Sequence, residues 1–555
     1  MKKLLKISCL IISILLIASL TAGCSGPASQ GSPKTPTTEP GTAQTGTEQS
    51  NETGEIGKYP VKTDVTLTYW SILNANVSSN YKSLADTPFA KELEKETGIK
   101  VEYLHPSSSA NEAFNLMIAS EDLPDIIEYW WLDFPGGPEQ AIQNNIILRA
   151  NDYIDKYAPN LKKFLQEHPE VDKMVKTDNG SYYGFPMIRG DELLLTFQGL
   201  AIRNDWLQEV GLEKPETIDE WYVVLKAFKE KLNKPYALSW NLQGTPNPLY
   251  PMFVNGAFCG AFGIIPTFYQ EDGVVKYGPY EKGYQEFIEL LVKWYKEGLI
   301  EQNFATMDNQ AWEAKVVSGE VGALLLNVGG GLGKFIPLLA ERDPKADLQP
   351  VPYPTLNKGE IPKFGQQDFP YSKTYMTAIT TNCKNAEIAA RWLDYGYSEA
   401  GTLLYNFGIE GVSYEMVNGY PTMTNEVMKN PNGLPVAYAW ASYARAPYGG
   451  PFIQRREYSE QYNQLPAQKE ALKIWPQTNA GKYLMPPVTA TPDESTELAN
   501  IMNDVTTYVE EFTMKVLLGV EPVENFDKYF AQLKSMNIER AIEIKQAALD
   551  RYNKR

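Results

Sequence analysis

Histidine and cysteine are scarce in this chain of 555 residues, which contains 2 histidines and 4 cysteines. His105 and His168 do not form an H-E-x-x-H motif, and the sequence has no C-x-x-C or G-x-S-x-G motif. Such motifs place zinc ligands or a nucleophilic serine, so their absence argues against the corresponding hydrolases. We therefore predict no catalytic residues, no metal site and no cofactor.

Positive charge is in deficit, because 51 Lys and Arg residues stand against 68 Asp and Glu residues, for a net charge of -17. Proteins that hold nucleic acid need a surplus of Lys and Arg against the phosphates, so no nucleic-acid partner is expected. Beyond the N-terminal segment the cysteines are Cys259 and Cys383. A single bridge between them and two buried free thiols are both compatible with the sequence.

A glycine-rich stretch at residues 329–334 departs from the phosphate-binding loop at both ends. Val328 occupies the position of the first glycine, and Phe335 replaces the Ser or Thr that binds magnesium. Residues 177–180 lack the spaced acidic ligands of a calcium loop. We interpret the first stretch as a flexible loop and expect no metal at the second.

Long apolar runs are missing near the start of the chain, where the apolar stretch at residues 7–20 is shorter than the roughly 20 residues that span a membrane. Lysines precede this stretch and small residues follow it, which is typical of a secretory signal peptide over residues 1–23. The letters LTAGC at residues 20–24 resemble the bacterial lipobox, with Thr21 where Leu is usual. The resemblance implies acylation of Cys24. An ordinary signal peptide with an incidental cysteine is the alternative.

The segment after this signal is rich in Ser, Thr, Pro, Gly, Gln and Glu and has almost no large apolar side chain up to residue 58. It cannot bury enough surface to fold, so residues 24–58 are predicted to be a disordered tether with a reach of about 30 Å. Two acyl chains on Cys24 would hold the protein stably on a membrane. We therefore expect a lipid-anchored protein on the extracytoplasmic face of the cell membrane.

Strand and helix patterns alternate from residue 59 onwards. A strand pattern at residues 65–69 precedes a helix pattern that starts at Pro88, with Thr87 as its N-cap and Gly98 as its stop. Further strands are predicted at residues 99–103, 125–127, 236–240, 321–327 and 376–380, and further helices at residues 110–120 and 386–395. This alternation is typical of βαβ units, so an α/β fold with parallel sheets is expected.

Two capping boxes mark amphipathic helices later in the chain. One begins at Thr217 with Glu220, and the other begins at Thr491 with Glu494. The apolar positions after Thr491 recur on one helix face as far as residue 516. Both helices are expected to pack on a core with that face.

Several short blocks follow one another in a characteristic order. They read LPDII at residues 123–127, GSYYGFP at residues 180–186, GLAIRNDWL at residues 199–207 and GEVGAL at residues 319–324. From residue 59 to the C-terminus the chain thereby resembles the bacterial extracellular solute-binding proteins of ABC importers, in the family that includes oligosaccharide binders. The block at residues 199–207 is the most specific, whereas Gly322 and Leu324 depart from the usual Ala and Met. The C-terminal region is similar to the LipO-like lipoproteins of Gram-positive bacteria.

The resemblance implies two α/β lobes joined by crossing strands, as in periplasmic binding proteins, with a ligand cleft between them. It places residues 59–190 and 352–400 in an N-terminal lobe, and residues 191–351 and 401–555 in a C-terminal lobe with C-terminal helices. The crossings are expected near residues 187–199 and 346–354. Ligand binding would close the two lobes.

Residues that follow predicted strands are candidate ligand contacts, because ligands of open α/β sheets bind beyond the carboxyl ends of the strands. Large rings at strand ends or in loops suit a sugar face, and arginine donates forked hydrogen bonds to hydroxyls or a carboxylate. The candidate ligand-binding residues are Trp70, Trp130, Trp131, Arg189, Trp240, Asn327, Trp440, Tyr443 and Arg445. Packing and surface ion pairing are the alternatives. Trp131 and Trp240 in particular are expected to stack on one ligand from opposite lobes.

The preferred function is a monomeric, lipid-anchored receptor that captures a sugar, most simply an oligosaccharide, and delivers it to ABC permease subunits. A secreted carbohydrate-active hydrolase is an alternative, because 68 acidic residues could include a suitably spaced pair of carboxylates. A peptide or polyol receptor on the same fold would differ only in its cleft lining.

Overall fold

Two mixed β-sheets organise the part of the chain that the computed structural model describes, which is residues 54–107, 109–240 and 256–555. In chain order the strands are β1 (Thr66–Trp70), β2 (Lys100–Leu104), β3 (Ile126–Tyr129), β4 (Phe185–Arg189), β5 (Gln198–Arg203), β6 (Tyr236–Leu238), β7 (Phe268–Glu271), β8 (Val274–Tyr277), β9 (Val321–Asn327), β10 (Leu348–Pro350), β11 (Tyr371–Ile379), β12 (Tyr414–Val417), β13 (Tyr420–Met423) and β14 (Ile453–Gln454). Among the described residues the first sheet has the order β14-β4-β11-β3-β1-β2 and the second the order β10-β5-β9-β6.

Both sheets are mixed rather than purely parallel. In the first sheet β1 pairs in parallel with β2 and β3, as the βαβ pattern predicts, but β11 is antiparallel to both β3 and β4. In the second sheet β5 is antiparallel to β9 and β10. In the first sheet the antiparallel strand β11 is the one with which the chain returns from the second sheet, which a local pattern of strands and helices does not reveal.

Each sheet is covered by helices and has its own hydrophobic core. The first core contains Leu67, Ile127 and Ile188, and the second contains Leu200, Trp221 and Leu324. We call the two units the first lobe and the second lobe. The α-helices are Ala75–Ser78, Pro88–Thr97, Ala110–Ser120, Gly137–Gln143, Asn151–Tyr157, Pro159–Glu167, Pro169–Met174, Asn204–Val210, Ile218–Glu230, Lys282–Lys296, Asn309–Val317, Gly333–Arg342, Ala386–Asp394, Glu399–Phe407, Asn425–Met428, Val436–Tyr443, Arg456–Tyr462, Pro466–Ile474, Ala480–Tyr483, Pro492–Leu517, Phe526–Ser535 and Ile538–Asn553.

The predicted helix starts are confirmed by their caps. Thr87 Oγ1 accepts a hydrogen bond from the Ala90 amide at 3.2 Å, and Gly98 ends the helix with a φ of 69°, a left-handed conformation that glycine adopts without strain. Thr217 and Thr491 each form the expected capping box with the glutamate three residues later. These side chains satisfy amide groups that a helix leaves unpaired at its first turn.

Over its described residues the chain crosses between the sheets three times. It leaves β4 in the first sheet for β5 in the second, where the first crossing was predicted. It returns between β10 and β11, that is, between residues 350 and 371, an interval that overlaps the predicted residues 346–354. A third crossing follows β14, because the helix Pro466–Ile474 contributes Ala471 to the second core.

The segment after residue 400 therefore contributes to both lobes. β14 extends the first sheet, and Leu404 and Tyr405 lie in the first core, although the sequence-based segmentation assigned this region to the C-terminal lobe. A small separate cluster around Phe407 and Trp440 holds the helix Val436–Tyr443 and the hairpin β12–β13. The lobe boundaries as a whole stay a prediction.

Cys259 and Cys383 are both buried thiols rather than halves of a disulfide. Cys259 belongs to the second core and Cys383 to the first. The structure thus resolves the alternatives left by the sequence in favour of two separate thiols.

An arginine clamp ties the last helix, Ile538–Asn553, to the first lobe. This helix packs into the second core through Ile538 and Ala541. Its Arg551 Nε lies 2.7 Å from Asp178 Oδ2 in the first lobe, while Arg551 Nη1 lies 3.0 Å from Glu494 Oε1. Arg555 Nη2 lies 2.5 Å from Asp178 Oδ1. One carboxylate of the first lobe is thus held by two guanidinium groups.

Because of this clamp, we expect substitutions of two arginines in the same region to differ in their effect on stability. Arg555→Met leaves the largely buried Asp178 carboxylate short of a charged partner and should lower the free energy of unfolding by about 2 kcal/mol. Arg540→Met removes a pair with Glu497 whose side chains are 48% and 44% exposed, and should cost less than about 1 kcal/mol. Urea unfolding measures the free energy of unfolding of both variants. A loss for Arg555→Met that is as small as the loss for Arg540→Met would show that the clamp adds no stability.

Candidate ligand cleft

A cleft of about 570 Å³ lies at the edges of the two sheets, where β4 and β9 end. Because β4 and β3 are both antiparallel to β11, they run in the same direction and present their carboxyl ends at one edge. The lining residues come from both lobes and from the crossings, and they include Asn74, Asn76, Arg189, Leu193, Thr196, Phe197, Asn327, Gly329, Asp368, Tyr375, Tyr448, Gln454, Tyr458 and Tyr462. The cleft thus occupies the position in which open α/β sheets bind ligands.

The first crossing contributes several residues of this lining. Leu194 lies in a short turn whose first residue is capped by Asp191, since the Asp191 carboxylate accepts from the Leu193 amide at 2.9 Å. Phe197 then carries its backbone to the second lobe, where its carbonyl accepts from the Val328 amide at 2.8 Å. The crossing segment therefore joins the end of β4 to the backbone of the second lobe at the cleft.

Tyrosines form one wall of the cleft. Tyr458 and Tyr462 lie one helical turn apart with ring centres 5.6 Å from each other, and Trp440 packs edge-on against both rings from behind. Burial raises the pKa of Tyr462 to about 12, so its hydroxyl is protonated at neutral pH and can donate a hydrogen bond. Tyr448 accepts from the Asn76 amide group at 3.0 Å and donates to the Ala437 carbonyl at 2.9 Å.

Arg189 and Asp368 are the charged residues among the described residues that line the cleft. They form an ion pair with each other, and Arg189 Nη1 also lies 3.2 Å from Gln454 Oε1. The guanidinium carbon lies 5.5 Å from the centre of the Phe197 ring. The pair is therefore internally neutral and rigidly placed at the end of β4.

The glycine-rich stretch is a helical turn rather than a flexible loop. Val328–Leu332 forms a π-helical turn that leads directly into the helix Gly333–Arg342. A Cβ atom at Gly329 would lie 2.4 Å from a carbon of the Tyr462 ring. Glycine at this position therefore lets the second lobe approach the tyrosine wall.

Of the candidate residues, the structure places Arg189 and Asn327 in the cleft lining. Trp130 follows β3 and is 38% exposed, with its ring stacked on Tyr129 at a centre distance of 5.7 Å. Tyr129 in turn stacks on Phe114 at 3.6 Å. This stack supports an exposed tryptophan face at the carboxyl edge of the first sheet.

Four candidate tryptophans are buried. Trp70 and Trp131 lie in the first core, Trp240 lies in the second, and Trp440 lies in the small cluster behind the tyrosine wall. Trp131 and Trp240 do come from opposite lobes, but at 0% and 1% exposure neither ring faces the cleft. The expected stacking of both on one ligand is corrected accordingly. Trp131 starts a tight turn that folds its ring back against Phe114, which a strand-end rule does not foresee.

Tyr443 and Arg445 form hydrogen bonds and an ion pair with other residues of the protein. The Tyr443 hydroxyl donates to Glu426 Oε1 at 3.2 Å, and Arg445 is 2% exposed. Arg445 Nε donates to the Gly449 carbonyl at 3.2 Å, and its guanidinium lies 3.8 Å from the buried Glu128 carboxylate. Burial raises the pKa of Glu128, while Arg445 counteracts that rise. Arg445 thus compensates a buried carboxylate beneath the cleft.

The sequence interpretation missed most of the polar lining. Asn74 and Asn76 follow β1 by only a few residues. The search for ligand contacts after each strand stopped at Trp70, and a longer window after β1 would have included both asparagines. Asp368, Gln454, Tyr458 and Tyr462 lie next to the second and third crossings, and the third crossing was not predicted. No local signal marks these residues.

The described residues lack two further features. No group of three or more His, Cys, Asp or Glu side chains is placed to hold a metal ion there. None of the helices in that part of the chain combines the length and apolarity of a membrane span.

Comparison with known proteins identifies relatives over most of the chain. The family model described as bacterial extracellular solute-binding protein matches residues 77–403. The fructooligosaccharide ABC transporter substrate-binding protein FusA of Streptococcus pneumoniae serotype 4 is 26% identical over 493 residues, which is 83% of this chain and 86% of FusA. Lipoprotein LipO of Bacillus subtilis is 28% identical over 350 residues, covering 60% of this chain and 65% of LipO.

Solved structures agree on the fold. The crystal structure of the alginate-binding protein AlgQ2 without calcium ion superposes with a TM-score of 0.72 at 27% identity, covering 89% of this chain and 100% of AlgQ2. FusA in complex with kestose superposes with a TM-score of 0.69 at 23% identity, covering 88% of this chain and 99% of FusA. The family model spans more than half of the sequence, and the two-lobed α/β fold is shared. The chain therefore belongs to the family of bacterial extracellular solute-binding proteins.

Proposed function

We propose that this protein is a lipid-anchored receptor that captures an oligosaccharide in the cleft between its lobes and delivers it to ABC permease subunits. The observation that carries the proposal is the lining of the cleft, in which tyrosine rings alternate with asparagine, glutamine and hydroxyl side chains from both lobes. FusA and AlgQ2, whose names describe a fructooligosaccharide and an alginate binder, support this ligand class.

The size of the required binding energy favours a cleft of this kind. Micromolar affinity corresponds to about 8 kcal/mol. One apolar sugar face of roughly 50 Å² contributes only about 1 kcal/mol at 25 cal/mol/Å², so several rings and several hydrogen bonds have to act together. The tyrosine wall and the amides of Asn74, Asn76 and Asn327 offer both kinds of contact.

Binding without hydrolysis is supported by the small number of carboxylates that line the cleft. Glycoside hydrolysis generally needs two carboxyl groups that flank the scissile bond. Among the described lining residues Asp368 is the one carboxylate, and it is paired with Arg189. Residues 241–255, which lie outside the described residues, contain no Asp or Glu. We infer a receptor rather than a hydrolase.

Calorimetric titration with defined oligosaccharides tests the proposal, and chromatography of the recovered sugar tests whether it stays intact. Binding of an unchanged oligosaccharide is the expected result. Cleavage of the sugar would favour the hydrolase, and failure of neutral and acidic oligosaccharides alike to bind would refute the receptor.

The tyrosine wall gives a specific expectation for affinity. Tyr462→Ala removes a ring from the cleft and should weaken binding of the identified oligosaccharide roughly tenfold. Tyr153→Ala is the matched control, because Tyr153 lies on the helix Asn151–Tyr157 of the first lobe and packs against Tyr157 instead. If the two variants bind with the same affinity by calorimetry, the wall takes no part in binding.

Lobe closure is expected when ligand binds, because the lining comes from both lobes and a ligand that contacts both favours the state in which they meet. Small-angle scattering of the unlabelled protein should show a smaller radius of gyration with saturating oligosaccharide and a mass that fits a monomer. An unchanged radius at saturation would contradict closure.

Membrane attachment is expected to depend on Cys24, which lies outside the described residues. Replacing it in Cys24→Ser removes the acylation site of the lipobox-like sequence and should move the protein from the membrane fraction to the soluble extracytoplasmic fraction. Cys9→Ser is the control, because Cys9 lies within the predicted signal peptide. Retention of Cys24→Ser in the membrane fraction would refute the lipid anchor.

A further inference from the structure

The Arg189–Asp368 ion pair lies where the three crossings meet. Arg189 ends β4 and opens the first crossing, Asp368 lies in the second crossing shortly before β11, and Gln454 ends β14 before the third. The Arg189 guanidinium pairs with Asp368 Oδ2, and its Nη1 lies 3.2 Å from Gln454 Oε1. The Asp368 amide also donates to the Leu195 carbonyl of the first crossing at 2.7 Å. A rotation of the lobes about the crossings displaces this junction least, so the pair should keep its geometry when the lobes move.

Asp368 keeps one carboxylate oxygen available for a ligand. Its Oδ2 pairs with Arg189, whereas Oδ1 accepts no hydrogen bond from any described residue. The side chain of Asp368 is 33% exposed, and both members of the pair belong to the lining of the cleft. An ionised carboxylate has acceptor sites on both oxygens. Asp368 can therefore accept hydrogen bonds from ligand hydroxyl groups while its ion pair with Arg189 stays intact.

The charges of the cleft lining cancel each other. Arg189 and Asp368 are its charged members among the described residues, and its other polar members carry neutral amide and hydroxyl groups. Lys373 lies on β11 next to the lining, but its Nζ lies over the Phe369 ring, 4.7 Å from the ring centre. Residues 241–255, outside the described part of the chain, contain no charged residue. A ligand carboxylate would therefore meet no uncompensated cation in this lining.

We infer that the Arg189–Asp368 pair is a subsite for the hydroxyl groups of an uncharged sugar residue, and that it selects neutral oligosaccharides over oligomers of uronic acids. The inference rests on the proposed receptor function and names the charge class of its ligand. Hydroxyl groups donate to Asp368 Oδ1 without disturbing the ion pair. A uronate carboxylate at the same place would repel Asp368 and would lose its hydration without gaining an opposite charge, which is costly.

A panel of neutral and acidic probes tests this selection on the unmodified protein. The neutral probes are kestose, raffinose, stachyose and maltotriose, and the acidic probes are trimers of galacturonate, mannuronate and guluronate. Calorimetric titration measures the affinity for each probe. The tightest-binding probe should be neutral, and it should bind roughly tenfold or more tightly than any acidic trimer.

Two substitutions of Asp368 separate recognition from a structural role. Asp368→Asn removes the charged acceptor and leaves Arg189 uncompensated, so the neutral ligand should bind roughly tenfold more weakly while binding of the acidic trimers should not weaken. Asp368→Glu keeps the charge and should retain the preference for the neutral ligand.

Asp205→Asn is the matched control, because it also removes the carboxylate of an aspartate–arginine pair. Arg203 Nε lies 2.8 Å from Asp205 Oδ1 in the second lobe. This pair lies at the opposite end of β5 from the lining residue Phe197. The control should bind the neutral ligand with unchanged affinity.

The outcomes distinguish this inference from the proposal on which it rests. An acidic trimer as the tightest-binding probe would overturn the neutral subsite and leave the receptor function intact. Unchanged affinity of Asp368→Asn for the neutral ligand, or an equal loss in Asp205→Asn, would also overturn the subsite. Absence of binding by every probe would refute the receptor itself, and the subsite with it.

Discussion

Three passages of the chain between the two sheets constrain the rest of the structure. Since the chain leaves the first sheet after β4, returns to it at β11 and leaves it again after β14, neither lobe is a continuous piece of sequence. The gap between the lobes is consequently lined by residues next to these passages. The position of the cleft and the identity of its lining both follow from this connectivity.

Local features of the structure could be predicted from the sequence because local interactions determine them. The caps at Thr87, Thr217 and Thr491 depend on residues three positions apart. The alternation in β1 and the continuous apolar run in β9 each lie within one strand. The family blocks also gave the two-lobed fold. Tryptophans within helical patterns, such as Trp221 and Trp294, are buried as their position on an apolar face predicts.

The binding surface was harder to predict from the sequence, since it depends on contacts between distant parts of the chain. Arg189 meets a partner 179 positions later in Asp368 and another 265 positions later in Gln454. Trp131 and Trp240 follow strands as ligand contacts often do, but the backbone after each strand decides whether a ring faces solvent or core. A turn beginning at Trp131 turned that ring inward. The pattern of apolar residues alone does not show whether such a ring points toward solvent or toward the core.

The arginine clamp has a consequence for the order of folding. Arg555 and Asp178 are separated by 377 positions, and their contact becomes possible only after both lobes have assembled around the crossings. Contacts of such long sequence separation pay their loop-closure entropy late, so they contribute little to the early folding nucleus. The clamp should therefore form after the main cores and mainly slow unfolding. For a member of an extracellular family, a slow rate of opening limits how often the interior is presented to proteases.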